Sequence, residues 1–145
     1  MNTVDIGDLG EIVAIMKFTK AGCVVSKPLS NNARYDLVVD YNNKLYKIQV
    51  KTTTKIQENM SMTFATKTTN YTKGSWASNQ YTKDDIDGFF LYCSENEWCG
   101  LYFGDEDGTF KQSLTIRLKP SKSGQVKNIR MADQYEFNHQ LNLLS

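Results

Sequence analysis

The sequence predicts an α/β domain, α+β in its layout, from three observations. A stretch of helical apolar spacing runs from Val4 to Lys20, two strand-like segments joined by a turn from Arg34 to Thr54 form a β-hairpin whose return strand alternates clearly, and a second hairpin follows from Ile86 to Cys93 and Glu97 to Phe103. A chain of 145 residues is enough for one substantial hydrophobic core and too short for two. Residues 1–145 are therefore expected to form a single domain, with self-association as the way to enlarge its core.

In order along the chain, Thr3 or Asp5 is available to cap the first helix and Gly22 to stop it. Leu9, Ile12, Val13 and Met16 fall at i, i+3, i+4 and i+7 and predict its buried stripe. Glu11 lies among apolar neighbours, either as a salt-bridged helix residue or as an acid placed for chemistry, since buried acids are rare unless paired or metal-bound. Gly7 and Gly10 lower helix propensity and allow close approach of either a strand or a phosphate. Cys23 to Ser26 reads as a first strand, and Pro28 with Ser30, Asn31 and Asn32 as a loop.

The first hairpin is the most sharply patterned part of the chain. Asn42 and Asn43 form a two-residue turn that tolerates positive φ. On the return strand, Tyr46, Ile48 and Val50 point one way and Lys47, Gln49 and Lys51 the other. From Thr54 to Thr82 the pattern loosens into an extended loop, with Met62 to Thr66 as a strand continuing the sheet. Loops of that length are usually functional. Beyond the second hairpin come a turn at Asp105 to Gly108, a strand from Leu114 to Leu118, a lysine-bearing loop at Pro120 to Gly124, and a terminal helix over Met131 to Leu144.

Charge is segregated along the chain although the net charge is only +1. Residues 41–83 carry seven lysines and one glutamate, residues 84–110 eight acids and no base, and residues 111–130 six bases and no acid. Two basic blocks around an acidic one make either an electropositive face suited to nucleic acid or ordinary solvated surface. No apolar run approaches the roughly 20 residues of a membrane span. The start of the chain, with Asp5 and Asp8, lacks a signal-peptide pattern, so a soluble, cytoplasmic protein without a membrane partner is expected. Cys23, Cys93 and Cys99 match neither a zinc site nor a disulfide framework and are expected as buried free thiols. The sequons at Asn59 and Asn70 carry no meaning in such a protein. His139 is the single histidine, which excludes mechanisms needing a histidine pair, and no phosphate-binding glycine pattern is present, so no nucleotide cofactor is expected.

The chemistry gathers on the first hairpin. The turn pairs Tyr41 with Lys44, so residue numbers across the hairpin sum to 85 and Asp36 stands opposite Gln49, about 4.8 Å away in sheet geometry. Asp36, the Gln49 amide oxygen and the Val50 carbonyl are a donor set for a hard cation such as Mg²⁺. Lys51 is then placed to orient or deprotonate a metal-bound water, for which burial and a nearby cation would lower its pKa. The same three side chains equally suit an ordinary cross-strand polar cluster.

An early helix bearing Glu11, a strand entered through Arg34-Tyr35-Asp36-Leu37, and Gln49-Val50-Lys51-Thr52 on the next strand together resemble the PD-(D/E)XK nuclease superfamily. Within it the chain is most similar to the group I intron-encoded homing endonucleases of that type, and it shares the helix glutamate with archaeal Holliday junction resolvases. The resemblance covers about the first 54 residues. It implies a restriction-endonuclease-like core with a mixed central β-sheet flanked by helices and an extended DNA-binding loop. It also implies Mg²⁺-dependent hydrolysis of DNA phosphodiesters to 5′-phosphate ends, with Mn²⁺ able to substitute. Asp36 would be the central metal ligand, Glu11 a further acidic ligand and Lys51 the catalytic lysine, while Gln49 departs from the more usual Asp or Glu. Cutting both strands of double-stranded DNA would require a homo-oligomer, dimer or tetramer. Arg34, Lys55, Lys67, Lys73, Arg117, Lys119 and Lys122 are the residues expected to contact DNA. A structure-selective resolvase and a non-catalytic nucleic-acid-binding module are the alternatives.

Overall fold

The alternating hairpin becomes the centre of the molecule. The computed structural model describes residues 1–72 and 74–145, with backbone alone at 69–72 and 75–78. Strand β2 (Leu37–Tyr41) turns through Asn42 and Asn43, at φ 53° and 65°, into β3 (Lys44–Thr53). The register runs from Leu37 opposite Ile48 to Tyr41 opposite Lys44, as the turn chemistry requires. β1 (Val24–Ser26) pairs antiparallel with β2, while β7 (Gly88–Cys93) pairs parallel with β3 and antiparallel with β8 (Trp98–Tyr102). The result is a five-stranded mixed sheet in the order β1-β2-β3-β7-β8.

Each face of this sheet has its own core. Ile48, Val50, Phe90 and Leu101 pack against Ala14 and Phe18 of α1 (Thr3–Lys20) and against Phe137 and Leu141. Phe89, Leu91, Cys93 and Tyr102 pack on the other side against Met62, Phe64, Leu114 and Ile116. Those four belong to a second, three-stranded sheet of β4 (Ser61–Ala65), β9 (Ser113–Arg117) and β10 (Arg130–Met131). β4 thus pairs with β9 and does not continue the central sheet. The stretch expected as an extended loop also holds a two-stranded antiparallel ribbon, β5 (Lys67–Thr72) and β6 (Ser75–Gln80). Its Thr-rich composition suits strands, but it lacks the apolar alternation that marks a half-buried one.

The helices depart from expectation in three ways. Asn2 caps α1, its side chain accepting the Asp5 amide at 2.9 Å, so neither Thr3 nor Asp5 is the cap. The buried face is Gly10, Ala14 and Phe18, and of the expected apolar stripe Leu9 and Val13 pack against this core while Ile12 is 63% and Met16 48% exposed. Gly10 explains the rotation. A Cβ there would stand 2.1 Å from Thr52 Oγ1 and 3.3 Å from Val50 Cγ1, so glycine lets the helix backbone press directly on β3. The terminal helix is broken at Glu136 (φ −56°, ψ 143°) into α2 (Ala132–Tyr135) and α3 (Phe137–Asn142). All three cysteines are buried and free, and burial pushes the Cys99 thiol up to about 11. No helix among the described residues is long and apolar enough to cross a membrane.

Candidate active site

The site forms where β2 and β7 stop pairing with β3. Beyond each strand's end, a carboxylate takes over the role of a backbone acceptor on β3. Asp36, just ahead of β2, donates its own amide to Ile48 O at 2.9 Å, while its Oδ2 accepts the Val50 amide at 2.9 Å. Asp87, just ahead of β7, accepts the Lys47 amide at 2.7 Å. Asp36 is therefore held by the edge of β3 while one carboxylate oxygen stays free of that bond.

Gln49 and Lys51 share the face of β3 that carries Phe89 and Leu91 on β7, since parallel register sets Gln49 beside Phe89 and Lys51 beside Leu91. Burial raises the Asp36 carboxyl above its ordinary value. The Val50 amide opposes that shift, Glu11 adds to it, and the charges of Lys51 and Lys27 work against it. Burial likewise lowers the Lys51 ammonium, with the charge of Asp36 opposing. Both members of the pair are thus pushed toward neutrality, a pattern that concentrates at functional sites.

Glu11 reaches the cluster because Gly10 brings α1 against β3 at Val50 and Thr52. Its carboxylate pairs with Lys27 at 3.0 Å. Of the two readings of Glu11 the salt bridge is the one observed, and the Glu11 charge also helps to raise the Asp36 carboxyl. Arg34 stacks its guanidinium 4.7 Å over the Tyr81 ring and sets Nη2 3.6 Å from Asp85, and its Nε and Nη2 are buried without hydrogen-bond partners among the described residues. Tyr81, only 3% exposed, was not singled out among the candidate residues. Burial pushes its hydroxyl up to about 12, with Arg34 opposing and Asp36 and Asp85 adding. The only sequence signal for it was an aromatic at the end of a polar stretch.

A hard divalent cation fits this donor set. Asp36 and Glu11 would supply anionic oxygens to it, and the Gln49 amide and Val50 carbonyl neutral ones. Among the described residues no group of three or more His, Cys, Asp or Glu side chains gathers, at this site or at any other.

The basic residues divide into several places. Lys67 opens the ribbon, and Lys55 is exposed just beyond β3. Arg117, Lys119 and Lys122 line one groove with Glu58, and the Arg117 guanidinium donates to Lys119 O at 3.0 Å. Lys73 lies outside the described residues. The charges partly cancel in space, for Asp85 meets Arg34, and Asp105 meets Lys111 and Arg130.

Comparison with known proteins follows the same outline. A family model described as PD-(D/E)XK endonuclease matches residues 1–138. The solved structure of a bacterial homing endonuclease, I-Ssp6803I, superposes with a TM-score of 0.79 at 26% identity, covering 99% of this chain and 95% of that one. Protein 5.3 of Escherichia phage T7 is 43% identical over 53 residues, which is 37% of this chain and 45% of the phage protein.

Proposed function

We propose, from the premise that the chain belongs to the PD-(D/E)XK endonuclease family, that it is a sequence-specific, Mg²⁺-dependent DNA endonuclease of the homing type. It leaves 5′-phosphate ends and works as a homo-oligomer. The observation that carries this reading is the place of Asp36 at the end of the strand pairing, where it accepts the Val50 amide at 2.9 Å between Gln49 and Lys51 of the neighbouring strand, with Asp36 and Lys51 both half-buried. The likeness to a homing endonuclease over nearly the whole of both chains supports the homing type over a junction resolvase.

Each residue then has a task. Asp36 and Glu11, with the Gln49 amide and the Val50 carbonyl, would hold the metal, which when bound supplies charge to stabilise the phosphodiester in in-line attack. Lys51 orients the attacking water and takes up its proton, a role that its burial favours. Arg34 presents a guanidinium whose buried Nε and Nη2 lack hydrogen-bond partners among the described residues, which suits a scissile phosphate. Lys55, Lys67 and Lys73, with the groove of Arg117, Lys119 and Lys122, contact the backbone of the duplex on either side.

The test is nicking of supercoiled DNA with Mg²⁺ or Mn²⁺ by the parent, Asp36→Ala and Lys51→Ala. Cutting by the parent and its loss in both variants is expected. A parent that leaves DNA intact across broad sequence libraries, or variants that cut as well as the parent, would sink the catalytic reading. Preference for four-way junctions over linear duplexes would favour a resolvase.

A further inference from the structure

Lys51 has a flexible four-carbon stem, and nothing in β3 alone fixes where its ammonium rests. Two contacts outside β3 do so, and both come from the base of the β5–β6 ribbon. The ammonium lies 5.6 Å from the centroid of the Tyr81 ring and 3.4 Å from the Lys67 carbonyl. Lys67 is the first residue of β5 and pairs with Gln80, the last of β6, so Tyr81 follows directly on the far leg.

That base is anchored to the body of the protein. Thr66 donates its amide to Gln112 O at 3.0 Å, and the Gln80 side chain donates to Phe110 O. The Tyr81 ring stands edge-on to Phe89, 5.2 Å between centroids at 90°, and Phe89 is the β7 neighbour of Gln49. The ring is therefore fixed by the second core while it faces two cations, Lys51 and Arg34. Its face attracts cations through the ring quadrupole whether or not the hydroxyl is present.

We infer that Tyr81 is a positioning residue for the nuclease reaction. Its ring, with the Lys67 carbonyl, holds the Lys51 ammonium beside Asp36 and so makes the ribbon's base part of the active site. This rests on the nuclease reading given above, and the test separates the two.

The parent, Tyr81→Phe, Tyr81→Leu and Tyr81→Met are compared in single-turnover nicking at saturating DNA and Mn²⁺. The ε-methylene signal of Lys51 is followed in parallel by NMR of ¹³C-lysine-labelled protein. The ring-retaining Phe variant is expected to cut within about threefold of the parent, and the Leu and Met variants about tenfold more slowly. Lys51 should show an upfield ring-current shift in the parent and in Tyr81→Phe that disappears in the other two. A purely structural role for Tyr81 would not tie the rate to this one resonance. Tyr81→Leu or Tyr81→Met cutting at the parental rate, or an unshifted Lys51 signal in the parent, overturns the inference. A parent with the shifted Lys51 signal that nicks no DNA overturns the nuclease reading itself.

Discussion

Two charge clusters border the central sheet, and their electrostatics run in opposite directions. At Asp105 and Arg130 the guanidinium donates to both carboxylate oxygens at 2.8 and 3.2 Å and also to the Tyr135 hydroxyl at 2.8 Å. Burial works against each charge there, but their mutual hydrogen bonds outweigh it, leaving Asp105 below and Arg130 above their ordinary pKa values. At Asp36 and Lys51 the balance is reversed and burial wins on both groups. The first cluster is a clamp between the end of β8 and β10. The second holds charges that the fold disfavours, a pattern that concentrates at functional sites.

The comparison breaks most visibly at Asp36. Asp36→Asn keeps an oxygen for the Val50 amide and removes the carboxylate charge. Nicking with Mn²⁺ is expected to fall on the order of 10²–10³-fold. Thermal stability at neutral pH should rise by on the order of 0.5–1 kcal/mol. A variant that loses activity and stability together would show that Asp36 is structural.

Arg130→Ala should do the opposite. It leaves Asp105 with the Tyr102 hydroxyl and with Lys111, 3.7 Å away, and strands the Tyr135 hydroxyl. Urea unfolding is expected to show a loss of about 2–3 kcal/mol, while nicking below the melting range stays within a few-fold of the parent. Acidification sharpens the contrast. Asp105 has a depressed folded pKa, so its contribution is present above the unfolded value and lost as pH falls through the folded one; the Arg130→Ala deficit should therefore shrink below about pH 4. Asp36 has a raised folded pKa, so its protonation stabilises the fold. The advantage of Asp36→Asn should vanish as pH falls through that raised value toward about 3.9. Unfolding curves from pH 3 to 7 on all three proteins check both signs.

Local pattern made one half of this comparison legible in the sequence and hid the other. The alternation of β3, the Asn42-Asn43 turn and the register that brings Asp36 toward Gln49 are all properties of consecutive residues. What escaped was set by small or distant residues. Gly10 carries no hydrophobic signal, yet its approach to Thr52 rotates α1 so that Ala14 and Phe18, not Ile12 and Met16, meet the sheet. The parallel pairing of β3 with β7 joins segments nearly 40 residues apart, and Tyr81 reaches Lys51 only through it and the ribbon. Asp105 and Arg130 were visible as members of opposite charge blocks, but nothing nearby in sequence indicated that they pair.

Two smaller changes probe how the disfavoured cluster would hold its cation. Gln49→Glu restores the acid more usual in the superfamily and adds one negative charge beside Asp36. It is expected to tighten Mn²⁺ binding about fivefold, measured by calorimetry on DNA-free protein. Unchanged affinity would place Gln49 outside the metal's coordination.

Lys27 should show the smallest effect, because its pair with Glu11 is an exposed one, with the lysine side chain 57% accessible. Such pairs are worth roughly 0.2–1 kcal/mol. The ammonium occupies a Glu11 oxygen that a cation would need, and its charge also acts on Asp36, so it opposes metal entry at both carboxylates. Lys27→Met keeps the apolar stem and removes the competitor, and Mn²⁺ affinity by the same calorimetry should rise about two- to threefold. Most of the gain should disappear in a Glu11→Gln background, where only the weaker action of Lys27 on Asp36 remains. An equal gain in that background would mean that Lys27 acts as a general positive charge and not as an occupant of Glu11.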